Sequence, residues 1–188
     1  GRRSLVLSNT RTETFEEILS NTSWIFRMGK DPSEQMERFG LGAADETLAE
    51  CMRIAPGSDV FFVHRVRSAD GTPLVIEKMA FLPHLAEVIE GVDTAEQSIH
   101  RELVRAGADF NNISRSFTIE QADADTAAKL DIPEDAPVLR VQIRALTHNG
   151  DVLECAVHTF RVDKLSFGLN NVRGHSSPLW FQVESAIQ

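Results

Sequence analysis

An α+β domain built on antiparallel hairpins is the fold this sequence predicts, and three observations predict it. The segment from Val60 to Pro83 reads as two strands joined at Asp70-Gly71. The segment from Val138 to Arg161 reads as two more joined at Asn149-Gly150, the strongest short hairpin signal. A short helix and a tight Pro-containing loop precede each hairpin, so that Arg53-Ile-Ala-Pro-Gly-Ser-Asp-Val60 is echoed by Asp131-Ile-Pro-Glu-Asp-Ala-Pro-Val138.

The elements follow in order. Residues 1–11 read as an extended lead-in. Thr12 to Phe26 carries Phe15, Ile18, Leu19 and Trp24, and its early Glu13, Glu16 and Glu17 complement a helix dipole, so a helix is expected there. The run Gly29 to Ser33 breaks it. Asp45 caps a short helix to Ile54, closed by Ala55-Pro56-Gly57. Thr94 to Gly107 has the fullest helix signature: Thr94 and Gln97 as a capping box, Ile99, Leu103 and Val104 as the apolar stripe, and Gly107 as the stop. Ile113 to Glu120 reads as a strand and Ala122 to Leu130 as a short helix. Leu179, Trp180 and Phe181 follow Ser177-Pro178 as an apolar tail, packed on its own domain or across a dimer.

Composition narrows the function. The 188 residues suffice for one substantial core or two small ones. A net charge of −9 speaks against holding nucleic acid through a broad basic surface on this segment. Cys51 and Cys155 stand in no metal-like spacing and read as reduced thiols of a cytoplasmic protein, with one disulfide as the alternative. No apolar run reaches transmembrane length and no signal-peptide pattern opens the chain, so no membrane partner is expected. The start, Gly1-Arg-Arg-Ser, has no Met and reads as a fragment of a longer protein. Nucleophile elbow, phosphate loop, zinc motif and dinucleotide fingerprint are all missing from the sequence, so no catalytic residue, metal or cofactor is assigned.

Charges on apolar faces single out the candidate site. Alternation puts Phe61, Val63, Arg65 and Arg67 on one strand face, and two cations among apolar residues need an anion, either a carboxylate or a bound ligand. Register decides whether Glu77 supplies it. A two-residue Asp70-Gly71 turn would set Arg65 opposite Ile76. A three-residue loop, Asp70-Gly71-Thr72, pairs Arg65 with Glu77 and Arg67 with Val75, and Pro73 favours this longer loop. In the second hairpin a two-residue Asn149-Gly150 loop pairs Ala145 with Glu154, Ile143 with Ala156, Val141 with His158 and Leu139 with Phe160. Glu154 and His158 then interrupt an apolar face, while Arg140, Gln142, Arg144, Thr159 and Arg161 lie on a solvated one. The plain alternatives are a structural Arg65–Glu77 bridge, a core Glu154 paired with an Arg or His158, and a satisfied interior His158. His64 falls on the far face as a structural residue, and His84, His100, His148 and His175 are scattered.

These residues resemble the UTRA domain, the effector-binding domain of the HutC-like branch of GntR-type transcription regulators. The resemblance rests on Phe61-Phe62-Val63-His64-Arg65-Val66-Arg67, on Asp70-Gly71-Thr72-Pro73 and on the downstream Glu77 and Phe81-Leu82-Pro83. Pro137-Val138-Leu139, Asn149-Gly150, Glu154, Arg161 and Asp163 extend it. It covers residues 30–168, with 1–29 as lead-in and first helix and 169–188 as a C-terminal tail. The resemblance implies a chorismate lyase-like fold, an antiparallel sheet flanked by helices. It further implies a winged helix-turn-helix upstream for operator DNA, a homodimer, and a repressor that senses a small anionic metabolite. By the same resemblance Arg65 and Arg67 are anion contacts and Glu77 and Glu154 meet the effector's polar end; His158, on the same inward face as Glu154, and Phe160 are added to the effector-binding set from their place in the hairpin. Phe160 stands where some amino-sugar-phosphate responders carry a hydroxyl, and the chain contains no Tyr. Thr14-Phe15 is the candidate for the family's early phosphate loop. The alternative function is a chorismate lyase-like enzyme acting on a small dicarboxylate, with Glu154 as general acid.

Overall fold

The structure, a computed structural model, describes residues 20–169 and 179–183. The expected lead-in, the start of the first helix with Glu13, Thr14, Phe15, Glu16 and Glu17, and His175 lie outside the described residues. The elements are α1 (Asn21–Arg27), β1 (Pro32–Ala43), α2 (Glu46–Met52), β2 (Asp59–Ala69), β3 (Thr72–Phe81), a 3-10 turn (Pro83–Leu85) running into α3 (Ala86–Glu90), α4 (Ile99–Arg105), β4 (Asn112–Gln121), α5 (Ala124–Leu130), β5 (Pro137–Leu146), β6 (Val152–Arg161), β7 (Leu165–Leu169) and β8 (Leu179–Val183). Strands β1 to β6 form one antiparallel sheet in the order β1-β2-β3-β6-β5-β4, and β8, in the expected tail, pairs with β7.

That order reads the same unit twice, outward from a β3–β6 seam. The echo seen in the sequence is a repeat of topology, strand, helix and hairpin, matched down to its hydrogen bonds. Asp45 and Asp123 each cap a seven-residue helix by accepting a backbone N–H three residues on, at 2.8 Å in both. Each helix ends on a left-handed residue, Arg53 at φ 58° and Asp131 at φ 52°. The loops close alike: Ala44 N–H donates to the Ser58 carbonyl and Ala122 N–H to that of Ala136, each at 2.9 Å.

Both hairpins have the expected pairing of site residues, reached by a different route. Arg65 faces Glu77 and Arg67 faces Val75. The turn is nonetheless the two-residue Asp70-Gly71, with Ala69 opposite Thr72, and a bulge beside Arg67 and Ser68 supplies the extra residue. Asp70 and Gly71 both have positive φ, 49° and 75°, as a tight hairpin turn of the right twist requires. Asp70 holds the turn by accepting from Asp31 N–H at 2.9 Å and pairing with Lys30 at 2.5 Å. In the second hairpin Leu139, Val141, Ile143 and Ala145 face Phe160, His158, Ala156 and Glu154 as expected. Here the loop is one residue longer than expected: Gly150 N–H donates to Thr147, Thr147 N–H donates to Asp151, and a bulge between Ala145 and Leu146 restores the register.

Helices cover both faces of the sheet. On one face α1, the Pro83–Glu90 segment and α4 bury Phe61, Val63, Phe81, Val141 and Phe160 under Trp24, Ile25, Ile89 and Leu103. On the other, α2 packs Ala49 and Met52 on Phe62 and Val152, and α5 packs Leu130 on Val66 and Val138. Each large apolar side chain removed from water contributes about 1.5–3 kcal/mol. Three expectations change. Helix α4 starts at Ile99 with Ser98 as its cap, because Gln97 is spent on Asp93 N–H at 3.1 Å and the Thr94 segment forms a turn. Arg161 is buried, not solvated, since it donates to the Leu130 carbonyl at 2.9 Å and to Asp163 at 2.8 Å. Strand β1 carries no Val, Ile or Thr and gave no strand signal. Among the described residues no helix is long and apolar enough to cross a membrane.

The cysteines are also corrected. Cys51 of α2 is disulfide-bonded to Cys155 of β6, with Cα atoms 6.3 Å apart and a sequence separation of 104. Sequence spacing hid this, because the fold lays α2 across β6. A loop of that length predicts that reduction, or Cys51→Ser with Cys155→Ser, costs about 4–5 kcal/mol. The check is a melting curve with and without dithiothreitol, and an unchanged midpoint would show that α2 holds its place without the bond.

Candidate functional site

The core-facing rows of β2, β3 and β6 bring the expected residues to one place. Pleat alternation aims Arg65 and Arg67, Glu77, and Glu154, His158 and Phe160 toward α1, α3 and α4. Glu77 lies opposite Arg65 on one side and opposite His158 on the other, so β3 carries the central carboxylate between a cation and an imidazole. All six are buried; Arg67 is 0% exposed and Glu77 1%.

The two guanidinium groups converge. Arg65 Nε donates to Glu77 Oε2 at 2.5 Å, and its Nη1 donates to Glu34 Oε2 at 2.8 Å and to the Thr94 carbonyl at 2.9 Å. Arg67 Nη1 reaches the same two acceptors, Glu34 Oε2 at 3.1 Å and the Thr94 carbonyl at 2.8 Å, while its Nη2 donates to Thr22 Oγ1. Asn21 Nδ2 completes Glu77 at Oε1, 2.6 Å away. Two arginines and two glutamates thus form a neutral buried cluster. Its hydrogen bonding is incomplete: among the described residues Arg67 Nε and His158 Nε2 are buried with no partner.

Electrostatics follow from this packing. Burial alone would raise the Glu77 pKa, but Arg65 above all, with Arg67 and Asn21, outweighs it and holds the group at about 2. Burial works against the charge of Arg65, yet Glu77 and Glu34 keep it above its usual range. Arg67 is lowered, by burial first and then by the charge of Arg65 beside it. Burial also lowers the His158 pKa and favours the neutral ring, which meets Asn21 Nδ2 through Nδ1 at 3.3 Å.

Further along β6, Glu154 Oε2 lies 2.8 Å from His100 Nε2, whose ring sits between Phe81 and Phe110 at 5.9 and 5.7 Å. Phe160 flanks His158 at 6.1 Å and meets Trp24 of α1 edge-on at 6.5 Å. The structure therefore pairs Arg65 directly with Glu77, joins Arg67 to Arg65 through Glu34 and the Thr94 carbonyl and His158 to Glu77 through Asn21, and sets Glu154 and Phe160 on either side of His158 along β6.

Sequence reasoning missed Glu34, Thr94, Thr22, Asn21 and His100. Glu34 lies on the unrecognised β1, opposite Arg67. Thr94 acts largely through its backbone carbonyl, which no side-chain pattern reports. His100 could have been found from its place on an apolar helix face beside Ile99 and Leu103. A separate cavity of about 630 Å³ opens on the far face of the sheet, lined by Arg38, His64, Lys78, Arg144 and the disulfide. None of the six expected residues lines it. His64 is half-buried there, its pKa lowered by burial and by Arg38 and Lys78.

Comparison with known proteins agrees with this architecture. The model of the UTRA domain family matches residues 27–166, so the chain belongs to the UTRA domain family. PhnF from Mycobacterium smegmatis shares the fold with a TM-score of 0.72 at 19% identity, over 82% of this chain and 68% of that one. The effector domain of the same PhnF superposes with a TM-score of 0.69 at 20% identity, over 77% of this chain and 90% of that one. A GntR-family transcriptional regulator from Enterococcus faecalis gives 0.59 at 17% identity, over 76% and 99%.

The depressed Glu77 pKa sets a pH dependence. A carboxyl at about 2 when folded and at its ordinary 4.5 when unfolded contributes stability above pH 4.5 that is lost as pH falls from there toward 2. His158, lowered on folding, adds loss in the same direction as pH drops below 6.5. Glu77→Gln should flatten the Glu77 window and, by removing the more buried of the two carboxylates that hold Arg65, destabilise the protein by about 3–5 kcal/mol at neutral pH. Urea titrations from pH 7 to pH 3 check both, and an unaltered acid slope in the variant would remove Glu77 from the cluster's charge balance.

Proposed function

We propose that this chain is the effector-binding and dimerisation part of a GntR/HutC-type transcriptional repressor, and that Arg65 and Arg67 take the anionic group of a small metabolite. One observation carries the reading. Two arginines stand side by side on the core face of a sheet, converge on the same two acceptors, and leave Arg67 Nε without a partner among the described residues. Guanidinium forks suit carboxylate and phosphate groups, and a buried pair of them contributes less to stability than apolar side chains of equal volume. Glu77, Glu154, His158 and Phe160 line the rest of the ligand's path. The likeness to a GntR-family regulator and to an effector domain supports the class.

The same contacts supply a route for regulation. Thr22 and Asn21 tie α1 directly to Arg67 and Glu77. Helix α1 lies N-terminal to nearly all of the family match, on the side where a winged helix-turn-helix would join. A ligand that rearranges the arginines changes the hold on α1, and so the spacing of two DNA-binding heads in a dimer. It shifts that equilibrium only by binding one arrangement more tightly. The protein would act on DNA in the cytoplasm with no cofactor. A lyase reading needs Glu154 as general acid, whereas the structure engages that carboxylate with His100.

Substituting both arginines by Ala would leave Glu34 and Glu77 facing each other without cations, so Arg67→Lys is the better probe: it keeps the charge and removes the fork. In a thermal-shift panel of small anionic metabolites that includes chorismate, a ligand at a hundredfold excess over Kd adds about 2.7 kcal/mol of stability to the wild type. Arg67→Lys should lose at least tenfold in affinity with the ligand recovered unchanged. Undiminished binding would count against the arginine site, and turnover of the ligand would favour the lyase.

A further inference from the structure

We propose that Glu34 is a built-in stand-in for the ligand's anionic group, a carboxylate of the protein's own edge strand that fills the arginine site and must leave before an external anion can enter. This rests on Arg65 and Arg67 being the effector's anion contacts. Three donors meet on the one carboxylate: Arg65 Nη1 at 2.8 Å and Arg67 Nη1 at 3.1 Å on Oε2, and Thr94 Oγ1 at 2.7 Å on Oε1. They are the kind of convergent donor set that a small carboxylate or phosphate would use.

Glu34 and Glu77 are not equivalent partners. Glu77 is sealed in the middle of the sheet, 2% exposed at its side chain, and held from two sides by Arg65 and Asn21. Glu34 is 12% exposed and is the outermost member of the cluster. Its strand β1 is the sheet edge, paired among the described residues with β2 alone, and a bulge between Met36 and Arg38 interrupts that pairing close by. Rotation about its own side-chain bonds takes the carboxylate to solvent with no change of register.

Departure of Glu34 leaves the cluster with two cations and one anion. It frees one N–H on Nη1 of each arginine, the other still held by the Thr94 carbonyl, and the Thr94 hydroxyl, and these join Arg67 Nε, which is already without a partner among the described residues. An incoming anion therefore finds four donors and an uncompensated positive charge. Burial and the charge of Arg65 already lower the pKa of Arg67, which marks that guanidinium as the less well compensated of the two.

An internal competitor sets the concentration at which a sensor responds. The apparent affinity equals the intrinsic affinity multiplied by the fraction of molecules with Glu34 swung out. Because Glu34 is tethered, its effective concentration is high, and only an anion with more acceptors or more charge displaces it at low concentration.

The test uses inorganic phosphate at constant ionic strength, with its dissociation constant read from melting curves of wild type, Glu34→Gln and the double variant Glu34→Gln/Arg67→Lys. Glu34→Gln is expected to bind phosphate at least tenfold more tightly than wild type, with the gain abolished in the double variant. Equal or weaker phosphate binding by Glu34→Gln overturns the proposal and leaves an arginine site that the Arg67→Lys panel supports untouched. A gain that persists in the double variant counts against the arginine reading itself. Should Glu34→Gln fail to fold at low salt, phosphate should restore folding, and failure of that rescue would also overturn the proposal.

Discussion

Two arginines buried on one strand face impose the constraint on which the rest of this structure depends. Neither charge can stay in the core without an anion or a set of carbonyl acceptors, and the chain has to bring those from distant positions. Glu77 comes from the next strand, Glu34 from the sheet edge, Thr94 from the turn before α4, and Thr22 and Asn21 from α1. The cluster thereby fixes which helices lie over the site face. A core of Leu and Met would pack there at no electrostatic cost, and the proposed ligand is what would give these charges a use beyond packing.

Much of this was legible in the sequence, and what was not had definite causes. The alternation in Phe61, Val63, Arg65 and Arg67 was sufficient to place both arginines on the core face. The pairing of Arg65 with Glu77 and of Val141 with His158 was also readable, although each hairpin reaches its register through a bulge that no turn dipeptide announces. The cap at Asp45 was visible because an acid before an apolar run has one common structural meaning, whereas Asp123, which caps the second unit in the same way, fell inside a helix read from Ala122. Thr94 misled for the same reason: its capping-box spacing is genuine, but the Arg65 and Arg67 guanidinium groups take its carbonyl and the helix begins at Ile99, capped by Ser98, instead. Strand β1 was hidden by its composition, and Glu34 with it. The Cys51–Cys155 bond depends on where α2 crosses β6, which is tertiary information.

The two faces of the sheet divide the chemistry. The site face holds its charges in a closed, mutually compensated set around Glu77. The far face has the roomy cavity, but two of its cations are engaged by other groups: Arg38 stacks over the Phe62 ring at 3.3 Å, and Arg140 lies 3.6 Å from Glu120. Convergence of donors, rather than volume, separates the two as anion sites. Helix α1 belongs to the first face, so a ligand bound there acts on the segment that leads toward the amino terminus, whereas a ligand in the cavity would meet α2 and the disulfide.

The most direct measurement is amide hydrogen exchange of the chain with and without phosphate. If the buried arginines are the anion site, exchange should change in α1 and in the turn around Thr94, and in β1 beside Glu34, while α2 and β4 stay as they were. A change confined to α2, β4 and β5 around the far-face cavity, or no change in α1 at phosphate concentrations that raise the melting temperature, would contradict it.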